Sequence, residues 1–503
     1  MITADQEIFH NTMERAKTVA KEADFLGGKS AYQRRRIECW DSIAETQKSN
    51  PFNSHYHRRL QEVYSFYIPP GSKVLDLGCG NGDLLASVKP AYGVGVDFSP
   101  KTIEQAKRDH PELKLFCLDV SDLCSILAEN ERFDFIILSD LLDELWDVQS
   151  VLQALFRYCH PGTRVLLNFY SRLWQIPLTL AQWIGLAKPV LMQNWLTRED
   201  VANLINLSDF EVIKSWSEVL LPVPLPWLDP FFNKFLVKFW LFRSMAITNL
   251  MLARPRTNYH AEEERCSVSV VVPARNEEGN IENIFRRIPQ MGAGTELLFV
   301  EGNSKDNTSA AIEAAIRKFP EISCQLFHQD GIGKGDAVRK GFSKATGDIL
   351  MILDADLTVP PEYLPRFYQM LTANKGEFIN GVRLVYPREK EAMHFFNFLG
   401  NKFFSLAFSW LLGQPIKDTL CGTKVLWKKD YLRISANRSY FGDFDPFGDF
   451  DLLFGASRLG LKIVDLPIRY QDRTYGTTNI QRWKHGRLLL KMVFFAAQRL
   501  KFV

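Results

Sequence analysis

Two acidic residues in the second half of the chain follow an apolar run at a spacing that could hold a divalent cation. The run at 347–353 reads GDILMIL, is typical of a buried strand, and leads into Asp354 and Asp356. Two carboxylates at one strand end repel each other unless a cation lies between them. Oxygen ligands of this kind suit Mg²⁺ or Mn²⁺, which would neutralise a departing diphosphate. The sequence therefore predicts a metal site at Asp354 and Asp356, with a pair of helix caps as the alternative.

A glycine-rich turn precedes these acids and could hold phosphate oxygens. It reads GIGKG at 331–335, contains Lys334, and leads into a helical pattern that carries Arg339. Backbone N–H groups in such turns and at helix N-termini bind anions. Lys334 and Arg339 are therefore candidate ligands for the phosphates of a nucleotide.

Two further polar turns follow buried strand patterns upstream. Residues 266–272 lead into Pro273 and then Glu277, and residues 296–300 lead into Glu301. A nucleoside can lie across the ends of neighbouring parallel strands, where carboxylates would accept hydrogen bonds from its base and ribose. Taken singly, each turn is explained by helix capping alone.

The first half of the chain contains a glycine turn of its own. The segment KVLDL at 73–77 reads as a strand, and it leads into a turn with Gly78, Gly80 and Gly82, ahead of a helical pattern. Glycines let the backbone approach a ligand closely, and a helix N-terminus offers N–H groups. Asp76 lies just before this turn. A tight strand-to-helix connection would also explain the glycines.

Acidic residues also end the strand patterns that follow. The second pattern ends at Asp97, where the hydroxyls of a ribose would be hydrogen-bonded. The third ends at Asp119 and the fourth at Asp140. Open α/β sheets bind ligands at the carboxyl ends of their strands, so these residues predict a ligand site. A nicotinamide enzyme is the rival interpretation, but the turn lacks the GxGxxG spacing that seats a pyrophosphate.

The motifs of the first half together resemble those of a known family. VLDLGCGNG, GVDFSP, CLDV and FDFIILSD look like the successive motifs of class I S-adenosylmethionine-dependent methyltransferases, over roughly residues 50–215. The resemblance implies a Rossmann-like sheet that binds S-adenosylmethionine. It further implies that Asp76 and the three glycines of the turn cradle the methionine portion, that Asp97 binds the ribose, and that Asp119 reaches the adenine amino group.

These motifs do not specify the methyl acceptor. After Asp140 the sequence reads LLDELWD, without the NPPY-type box of amino-group methyltransferases, which favours an oxygen acceptor. Asp143, Glu144 and His57 are candidate general bases. Groups of these types are nevertheless more often surface groups or helix caps.

A second set of ordered motifs fills the other half of the chain. VVPARNEEGNI, EGNSKDNT, GIGKGDAVRKGF, ILDADL, NGVR, DTLCGTK and LPIRYQDRTYG follow one another across residues 267–480. They resemble family 2 glycosyltransferases of the GT-A fold, in the branch similar to dolichyl-phosphate mannose synthase. The resemblance implies that Asp354 and Asp356 handle metal and diphosphate, and that Glu277 and Glu301 hold the nucleoside.

The same resemblance implies an acceptor cleft and a mechanism. Asp451 would lie in the cleft, and Arg383 and Arg473 would contact donor or acceptor phosphate. Transfer would invert the anomeric carbon in a single displacement. A phosphate acceptor needs no base, whereas a hydroxyl acceptor would use Asp451 or Asp449. A polyprenyl phosphate would suit Arg383 and Arg388 together with the apolar segment at 395–413.

Composition sets the class of the whole chain. It has 503 residues, of which 46% are hydrophobic and 24% charged, values typical of a globular protein with two or three domains. A net charge of +3 provides no global field for nucleic acid, so no nucleic-acid partner is expected. The eight cysteines lack metal-ligand spacing, which predicts free thiols in a reducing compartment.

The strand and helix patterns divide the chain into two halves of the α/β class. We predict a methyltransferase domain with an N-terminal helical cap at 1–215 and a GT-A glycosyltransferase domain at 265–503. The segment between them, at 216–264, is apolar and proline-rich, and it is predicted to be a connector.

No segment reads as a signal peptide or a transmembrane helix, which predicts a cytoplasmic protein. Residues 488–503 form an amphipathic pattern that includes Lys491, Arg499 and Lys501. Such a helix would hold the protein peripherally at the inner face of a membrane with anionic lipid, with the apolar segment at 395–413 as its neighbour. A buried core helix is the alternative.

Together these features predict a bifunctional enzyme. It would transfer a sugar from a nucleotide-sugar donor with the help of Mg²⁺ or Mn²⁺, and a methyl group from S-adenosylmethionine. One alternative is a glycosyltransferase whose first half only binds S-adenosylmethionine, as a regulatory or scaffold module. A protein-interaction scaffold without catalysis is a further alternative, against which the intact pair Asp354 and Asp356 argues.

Overall fold

The computed structural model divides the chain into two compact units, Met1–Pro255 and Arg256–Val503. It describes residues 28–44, 51–183, 191, 193–222, 225, 227–256, 265–383, 395–438, 448–471, 473, 475 and 482–502. Within these residues each unit is built on one seven-stranded sheet.

An open, mostly parallel sheet forms the first unit. Its strands are β1 (Lys73–Leu77), β2 (Tyr92–Asp97), β3 (Lys114–Cys117), β4 (Phe133–Ser139), β5 (Cys159–Tyr170), β6 (Phe210–Glu218) and β7 (Thr248–Pro255). Their order is β3-β2-β1-β4-β5-β7-β6, with β7 antiparallel to both neighbours. The order reverses between β1 and β4, so the carboxyl ends of these strands border the crevice where open sheets bind ligands.

Two hydrophobic cores cover this sheet. Its helices are α1 (28–44), α2 (Pro51–Tyr67), α3 (Asp83–Ser87), α4 (Pro100–Asp109), α5 (Val148–Leu155), α6 (Gln175–Trp183), α7 (Arg198–Leu207) and α8 (Trp240–Arg243). Leu75 and Leu77 lie in one core and Val74 in the other, because successive side chains of a strand point to opposite faces. Burial on both faces explains why β1 and β4 read as nearly continuous apolar runs.

The last strands of this sheet differ from the sequence prediction. The connector expected at 216–264 overlaps the end of β6 and includes all of β7. Every residue of β7 is buried, because the strand pairs with β5 on one side and β6 on the other. The proline-rich segment before β7 suggests a linker, whereas the chain returns to complete the first sheet. The first unit accordingly ends at Pro255.

A mixed sheet forms the second unit. Its strands are β8 (Val268–Ala274), β9 (Thr295–Glu301), β10 (Ser323–His328), β11 (Ile349–Ile352), β12 (Phe378–Val382), β13 (Lys424–Trp427) and β14 (Ile463–Pro467). Their order is β10-β9-β8-β11-β13-β12-β14, and β13 runs antiparallel to β11 and β12. The order reverses between β8 and β11, so the turn after β8 lies beside the end of β11.

The helices of the second unit pack around one large core. They are α9 (Ile281–Arg287), α10 (Thr308–Lys318), α11 (Lys334–Lys344), α12 (Leu364–Thr372), α13 (Phe395–Leu412), α14 (Lys428–Ala436), α15 (Asp449–Arg458) and α16 (Arg482–Ala496). Residues of β8, β9 and β11 lie in this core with residues of α9 and α12. All four residues of β11 are buried, so the acids that follow β11 stand at the edge of an apolar core.

The predicted fold class, two α/β domains with a Rossmann-like sheet first, is confirmed by these topologies. The eight cysteines, all within the described residues, are thiols outside disulfide bonds. Among the described residues, no helix combines the length and the apolar character needed to cross a membrane.

A buried ion cluster ties α2 to β6 in the first unit. Arg59 Nη2 lies 3.1 Å from Glu218 Oε2, and Lys238 pairs with Glu218 Oε1. All three side chains are almost fully buried. Burial by itself raises the pKa of Glu218, but the two neighbouring cations outweigh it and hold that pKa below its ordinary value. The carboxylate is thus the shared acceptor of two buried cations.

Replacing Glu218 with Gln should destabilise the first unit by about 3–5 kcal/mol, because two buried cations lose their shared charged acceptor. Glu62→Gln is the matched control. Glu62 accepts from the same Arg59 at 2.8 Å but is about half exposed, and surface pairs contribute about 0–1 kcal/mol. Urea unfolding followed by tryptophan fluorescence measures both variants. Equal losses of stability would contradict the prediction.

Candidate active sites

The glycine turn after β1 has a backbone that side chains resist. Gly78, Gly80 and Gly82 have φ values of 69°, 53° and 81°, a region that costs other residues about 1–2 kcal/mol each. A Cβ at Gly78 would lie 2.9 Å from Cδ1 of Leu141, which follows β4, so the leucine side chain would have to shift. The turn therefore has to be glycine-rich, and it lies against the end of β4.

Asp76, near the end of β1, is a buried carboxylate. It is 1% exposed, and neither oxygen accepts a hydrogen bond within the described part of the chain. Burial, followed by the charge of Asp97, raises its pKa well above the ordinary value. A buried carboxylate without donors is costly, so Asp76 fits a site that a ligand with N–H donors or positive charge completes. The ammonium and sulfonium groups of S-adenosylmethionine have this character.

Asp97 lies beside the turn, at the end of β2. Its Oδ2 accepts from Gly80 N at 3.1 Å and its Oδ1 from Ser99 N at 2.9 Å. Burial raises the pKa of Asp97 by more than these backbone hydrogen bonds lower it. The structure thus brings Asp97 and the glycine turn together at the crevice beside Asp76.

The carboxylate of Asp119 is already engaged. Oδ1 accepts from Ser121 N at 2.8 Å and caps the short helix that follows, while Oδ2 accepts from Gln33 Nε2 at 2.7 Å. Gln33 belongs to α1. Asp41 of the same helix accepts a hydrogen bond from Ser99 Oγ through its Oδ1, at 2.6 Å. Helix α1 therefore contacts the loops after both β2 and β3. The sequence predicted an N-terminal helical cap but not these contacts.

The candidate bases for methyl transfer lie in different surroundings. His57 is exposed on α2. Glu144 forms a buried ion pair with Arg36 of α1. Asp143 is buried and accepts from Tyr170 N at 3.0 Å, and burial is the main cause that raises its pKa well above the ordinary value. Exposure and ion pairing make His57 and Glu144 poor choices for a base in a dry site.

Two ion pairs stand at the end of β11 in the second unit. Lys334 Nζ lies 2.6 Å from Asp354 Oδ1, and Arg473 Nη2 lies 2.6 Å from Asp356 Oδ2. Asp356 Oδ1 also accepts from Thr358 N at 3.1 Å and from Thr358 Oγ1 at 2.7 Å. The predicted metal ligands therefore converge with Lys334 and Arg473, and Thr358 fixes the second acid.

Glu277 joins this cluster from the turn after β8. Its Oε1 lies 3.8 Å from Arg473 Nη1. Burial is the main cause that raises its pKa to about 7, and the charges of Asp356 and Asp354 add to the rise. Three carboxylates thus share this end of the sheet, which makes added positive charge favourable there.

The two acids fit a divalent cation that the substrate helps to bind. Among the described residues, no three His, Cys, Asp or Glu side chains form a cluster that could hold a metal. Mg²⁺ is usually held by one or two carboxylates together with substrate phosphates and water, which Asp354 and Asp356 could supply. Burial would raise the pKa of Asp354, but Lys334 outweighs burial and holds that pKa below its ordinary value.

The glycine-rich turn before α11 presents Lys334 to Asp354, whereas Arg339 lies farther along the same helix. Arg339 Nη1 is 3.6 Å from Asp451 Oδ2, and Arg438 Nε is 3.4 Å from the same oxygen. The two residues predicted to hold phosphate therefore have different partners. Asp451, the candidate base, lies between two guanidinium groups.

A small cavity opens beside these arginines. It is lined by Val338, Tyr431, Ile434 and Leu452, together with Arg339, Arg438 and Asp451. Asp449, the other candidate base, begins α15, and its side chain lies outside the described residues. An apolar wall beside guanidinium groups suits an anionic head joined to an apolar chain.

The predicted nucleoside contacts lie on adjacent strands. Pro273 of β8 pairs in register with Val300 of β9, one residue before Glu301. Glu301 Oε1 accepts from Ser304 N at 2.5 Å, and its Oε2 lies 3.4 Å from His328 Nδ1. Burial by itself raises the pKa of Glu301, but these partners outweigh burial and lower it. Ser304 and His328 therefore hold the carboxylate at the strand end.

Arg383 is committed to a buried partner. Its Nε and Nη2 lie 2.8 and 2.9 Å from the two oxygens of Asp418, and its backbone N donates to the same carboxylate at 3.1 Å. Its guanidinium also lies over the ring of Tyr470, 5.2 Å from the centroid. Of the two arginines predicted to contact phosphate, Arg473 reaches the acid pair directly, and Arg383 fixes the loop that begins at Asp418.

Gly422 lies in that loop, and its sequence motif alone predicts no role for it. A Cβ at this position would overlap both the carboxylate of Asp354 and the amine of Lys334. The glycine within DTLCGTK is its only signal in the sequence. The structure adds that this glycine makes room for the ion pair between Lys334 and Asp354.

Two family models match the chain. The model of a methyltransferase domain matches residues 52–215, and the model of glycosyl transferase family 2 matches residues 269–426. The two family resemblances predicted from the motifs, one in each half of the chain, are thereby confirmed.

Two sugar transferases are similar to part of this chain. A dolichol-phosphate mannosyltransferase of Pyrococcus furiosus is 28% identical over 220 residues, covering 42% of this chain and 59% of the relative. An undecaprenyl-phosphate 4-deoxy-4-formamido-L-arabinose transferase of Sodalis glossinidius is 24% identical over 230 residues, covering 45% and 66%. The chain therefore spans 59% and 66% of the lengths of these relatives.

Among solved structures, magnesium protoporphyrin IX methyltransferase from Synechocystis with bound SAH matches at 15% identity and a TM-score of 0.32, over 45% of this chain and 97% of that chain.

Gly422→Ala should lower the affinity for Mn²⁺ with a nucleoside diphosphate by about tenfold, because overpacking costs about 1–3 kcal/mol and separates Lys334 from Asp354. Gly400→Ala on α13 is the matched control, since a Cβ there meets no atom within 4 Å. Calorimetric titration with UDP and with GDP in the presence of Mn²⁺ measures the effect. Unchanged affinity in Gly422→Ala would show that this glycine does not shape the site.

Proposed function

We propose that the second unit transfers a sugar from a nucleotide sugar to a polyprenyl phosphate, with inversion and with a divalent cation, and that the first unit is an S-adenosylmethionine-dependent methyltransferase. The observation that carries the sugar transfer is the convergence of Asp354, Asp356, Lys334 and Arg473 at the end of β11. The acceptor class is supported by the relatives, whose names refer to dolichol phosphate and undecaprenyl phosphate.

The cationic side chains serve the leaving group in this mechanism. A bound Mg²⁺ or Mn²⁺ supplies positive charge to the departing diphosphate. Lys334 and Arg473, which pair with Asp354 and Asp356, would turn to phosphate oxygens of the donor. The acceptor oxygen bonds to the anomeric carbon as the bond from that carbon to the diphosphate breaks. The electron pair of the broken bond leaves with the diphosphate.

The arginines beside Asp451 favour a phosphate acceptor over a hydroxyl. Arg339 and Arg438 flank its carboxylate at 3.6 and 3.4 Å, and the N–H donors of guanidinium groups suit the recognition of phosphate. The phosphate head would bind these donors, with the isoprenoid chain against Tyr431 and Ile434 of the cavity wall. A phosphate acceptor needs no base, so Asp451 would orient the arginines rather than take a proton.

The methyl transfer depends on the carboxylates of the first crevice. A bound S-adenosylmethionine would bring positive charge to Asp76 and ribose hydroxyls to Asp97. A first unit that only binds the cofactor, as a regulatory or scaffold module, is the alternative. The two functions are separable by substitutions, because their acids belong to different units.

Reciprocal substitutions should test both halves of the proposal. Asp356→Asn removes the negative charge of a proposed metal ligand. It should abolish sugar transfer to undecaprenyl phosphate, measured with the nucleotide sugars that the wild type uses. Its affinity for S-adenosylmethionine should be unchanged. Asp97→Ala should weaken the binding of S-adenosylmethionine by about 1–3 kcal/mol, which is the cost of an unpaired polar group. Sugar transfer should stay intact in this variant. Radiolabelled sugar transfer and calorimetry supply the two measurements.

Asp348→Asn is the control for the metal assignment. Asp348 precedes the same strand, at its opposite end, where it accepts from Ser267. Sugar transfer at the wild-type rate in Asp356→Asn would remove the acid pair from the mechanism. An unchanged dissociation constant in Asp97→Ala would remove the methyl donor from the first crevice.

The proposal includes a location at the cytoplasmic face of a membrane, since a polyprenyl phosphate must be reached from the bilayer surface. Helices α13 and α16 contact each other, and each exposes two apolar side chains. These are Phe403 and Leu406 on α13 and Leu490 and Phe494 on α16, which we call the apolar stripe. The opposite side of α16 buries Leu489 and Met492. Helix α16 thus combines a core face with an exposed apolar face, and the exposed face would contact lipid.

The double variant Leu406→Ser/Phe494→Ser should bind liposomes that contain anionic lipid less than the wild type, because both residues are 72% exposed on the stripe and buried apolar area drives such binding. Leu432→Ser, on α14 and 57% exposed, is the matched control. Flotation measures binding, and circular dichroism checks folding. A folded double variant that floats like the wild type would exclude the stripe as the membrane contact.

A further inference from the structure

Asp140, to which the proposed function gives no role, occupies a strained position at the end of β4. Its φ is 52°, in a region that costs a non-glycine residue about 1–3 kcal/mol. Its backbone N donates to Asn168 O of β5 at 3.1 Å. The strained backbone and this hydrogen bond together fix the position from which the side chain of Asp140 extends.

Hydrogen bonds fix one oxygen of this carboxylate. Asp140 Oδ1 accepts from Tyr56 Oη at 2.8 Å and from Asn168 Nδ2 at 2.5 Å. The amide of Asn168 is in turn oriented by Tyr64, whose hydroxyl donates to Asn168 Oδ1 at 2.8 Å. Both bonds to the carboxylate end on Oδ1, and no described residue donates to Oδ2. One oxygen is therefore held, and the other can receive a ligand.

The surroundings of Asp140 are rich in tyrosine side chains. The polar and charged groups around it are Tyr56 and Tyr64 of α2, Asn168 and Tyr170 of β5, Thr248 of β7, Asp76 of β1, and Asp143. Burial raises the pKa of Asp140 to about 7, although hydrogen bonds from Tyr56 and Asn168 lower it. A group with a pKa near neutrality is well matched to proton transfer at physiological pH.

Asp140 borders the same crevice as the proposed cofactor site. The next residue, Leu141, has its Cδ1 2.9 Å from the place that a Cβ on Gly78 would occupy. Tyr64 lies near acids of both strands: burial raises its pKa, and the charges of Asp140 and Asp76 raise it further. The end of β4 therefore presents Asp140 beside the glycine turn and Asp76.

Asp143 is less suited to contact a substrate. Its Oδ2 accepts from Tyr170 N, and its Oδ1 is fully buried without a described donor. Asp140 instead remains partly exposed. A substrate can therefore reach Asp140 without opening the core.

We infer that Asp140 binds a hydroxyl group of the methyl acceptor and takes its proton, so that the first unit is an O-methyltransferase. The inference rests on the proposed methyl transfer. The acceptor hydroxyl donates to Oδ2, and its oxygen bonds to the methyl carbon as the bond from that carbon to the sulfonium sulfur breaks. The electron pair stays on sulfur, giving S-adenosylhomocysteine, and the proton passes to Asp140. Tyr56 and Asn168 are positioning residues.

Asp140→Asn tests the inference in the full chain, because the amide keeps the size of the side chain and an oxygen for Tyr56 but cannot act as the base. Asp209→Asn is the matched control, since Asp209 also has a left-handed backbone, with φ of 59°, but is exposed. S-adenosylhomocysteine formation is measured with catechol, glycerol and methyl α-mannoside as hydroxyl probes. Benzylamine and 2-mercaptoethanol serve as amine and thiol probes, and calorimetry measures S-adenosylmethionine binding.

We expect the wild type and Asp209→Asn to methylate at least one hydroxyl probe. Asp140→Asn should bind S-adenosylmethionine like the wild type and lose rate by about 10²–10⁴-fold. Tyr56→Phe removes a hydrogen bond that lowers the pKa of Asp140, so its rate should rise with pH at a higher pH than that of the wild type.

Two results would overturn the inference. One is an undiminished rate in Asp140→Asn, and the other is a wild type that binds S-adenosylmethionine but transfers to no hydroxyl probe, whether or not it methylates an amine or thiol probe. If Asp140→Asn also fails to bind S-adenosylmethionine, the dependence of the rate on pH in Tyr56→Phe decides. A dependence that is not shifted from that of the wild type overturns the inference. A wild-type protein that does not bind S-adenosylmethionine would instead overturn the proposed function of the first unit.

Discussion

Negative charge at the carboxyl ends of parallel strands is the constraint on which both units depend. A parallel sheet gathers successive carboxylates at one edge, and burial makes each of them costly unless donors or cations surround it. In the second unit Lys334 and Arg473 each pair with one acid at 2.6 Å. In the first unit Asp76 has no donor within the described residues. The glycine turns and switch points bring the backbone, and with it a ligand, close to these acids.

The two units compensate the charge of their carboxylates differently, and this difference favours a different kind of ligand in each unit. The second unit carries its own cations on α11 and after β14, which prepares it for a polyanion such as a nucleoside diphosphate. The crevice of the first unit presents Asp76 and Asp97, whose pKa values are raised mainly by burial, and this environment favours a ligand that brings positive charge. The same architectural rule therefore produces opposite electrostatic preferences.

Sequence patterns could predict those residues that the sheets themselves position. Asp354 and Asp356 follow a buried apolar run, and such runs and glycine turns are local features. Tertiary contacts are not local. Arg383 has the charge expected of a phosphate ligand, yet the buried Asp418 determines where its guanidinium points. Strand β7 is read as a connector for the same reason, because its partners β5 and β6 lie elsewhere in the chain.

Helix α1 would compete with a cofactor whose adenine binds Asp119. An adenine amino group that reaches Asp119 has to displace Gln33, which donates to Asp119 Oδ2 at 2.7 Å. The apparent affinity of such a cofactor would equal its intrinsic affinity multiplied by the fraction of molecules in which the hydrogen bond from Gln33 to Asp119 is broken. Substitutions within 28–44 could thus adjust how quickly fresh and spent cofactor exchange, while every residue that faces the crevice stays unchanged.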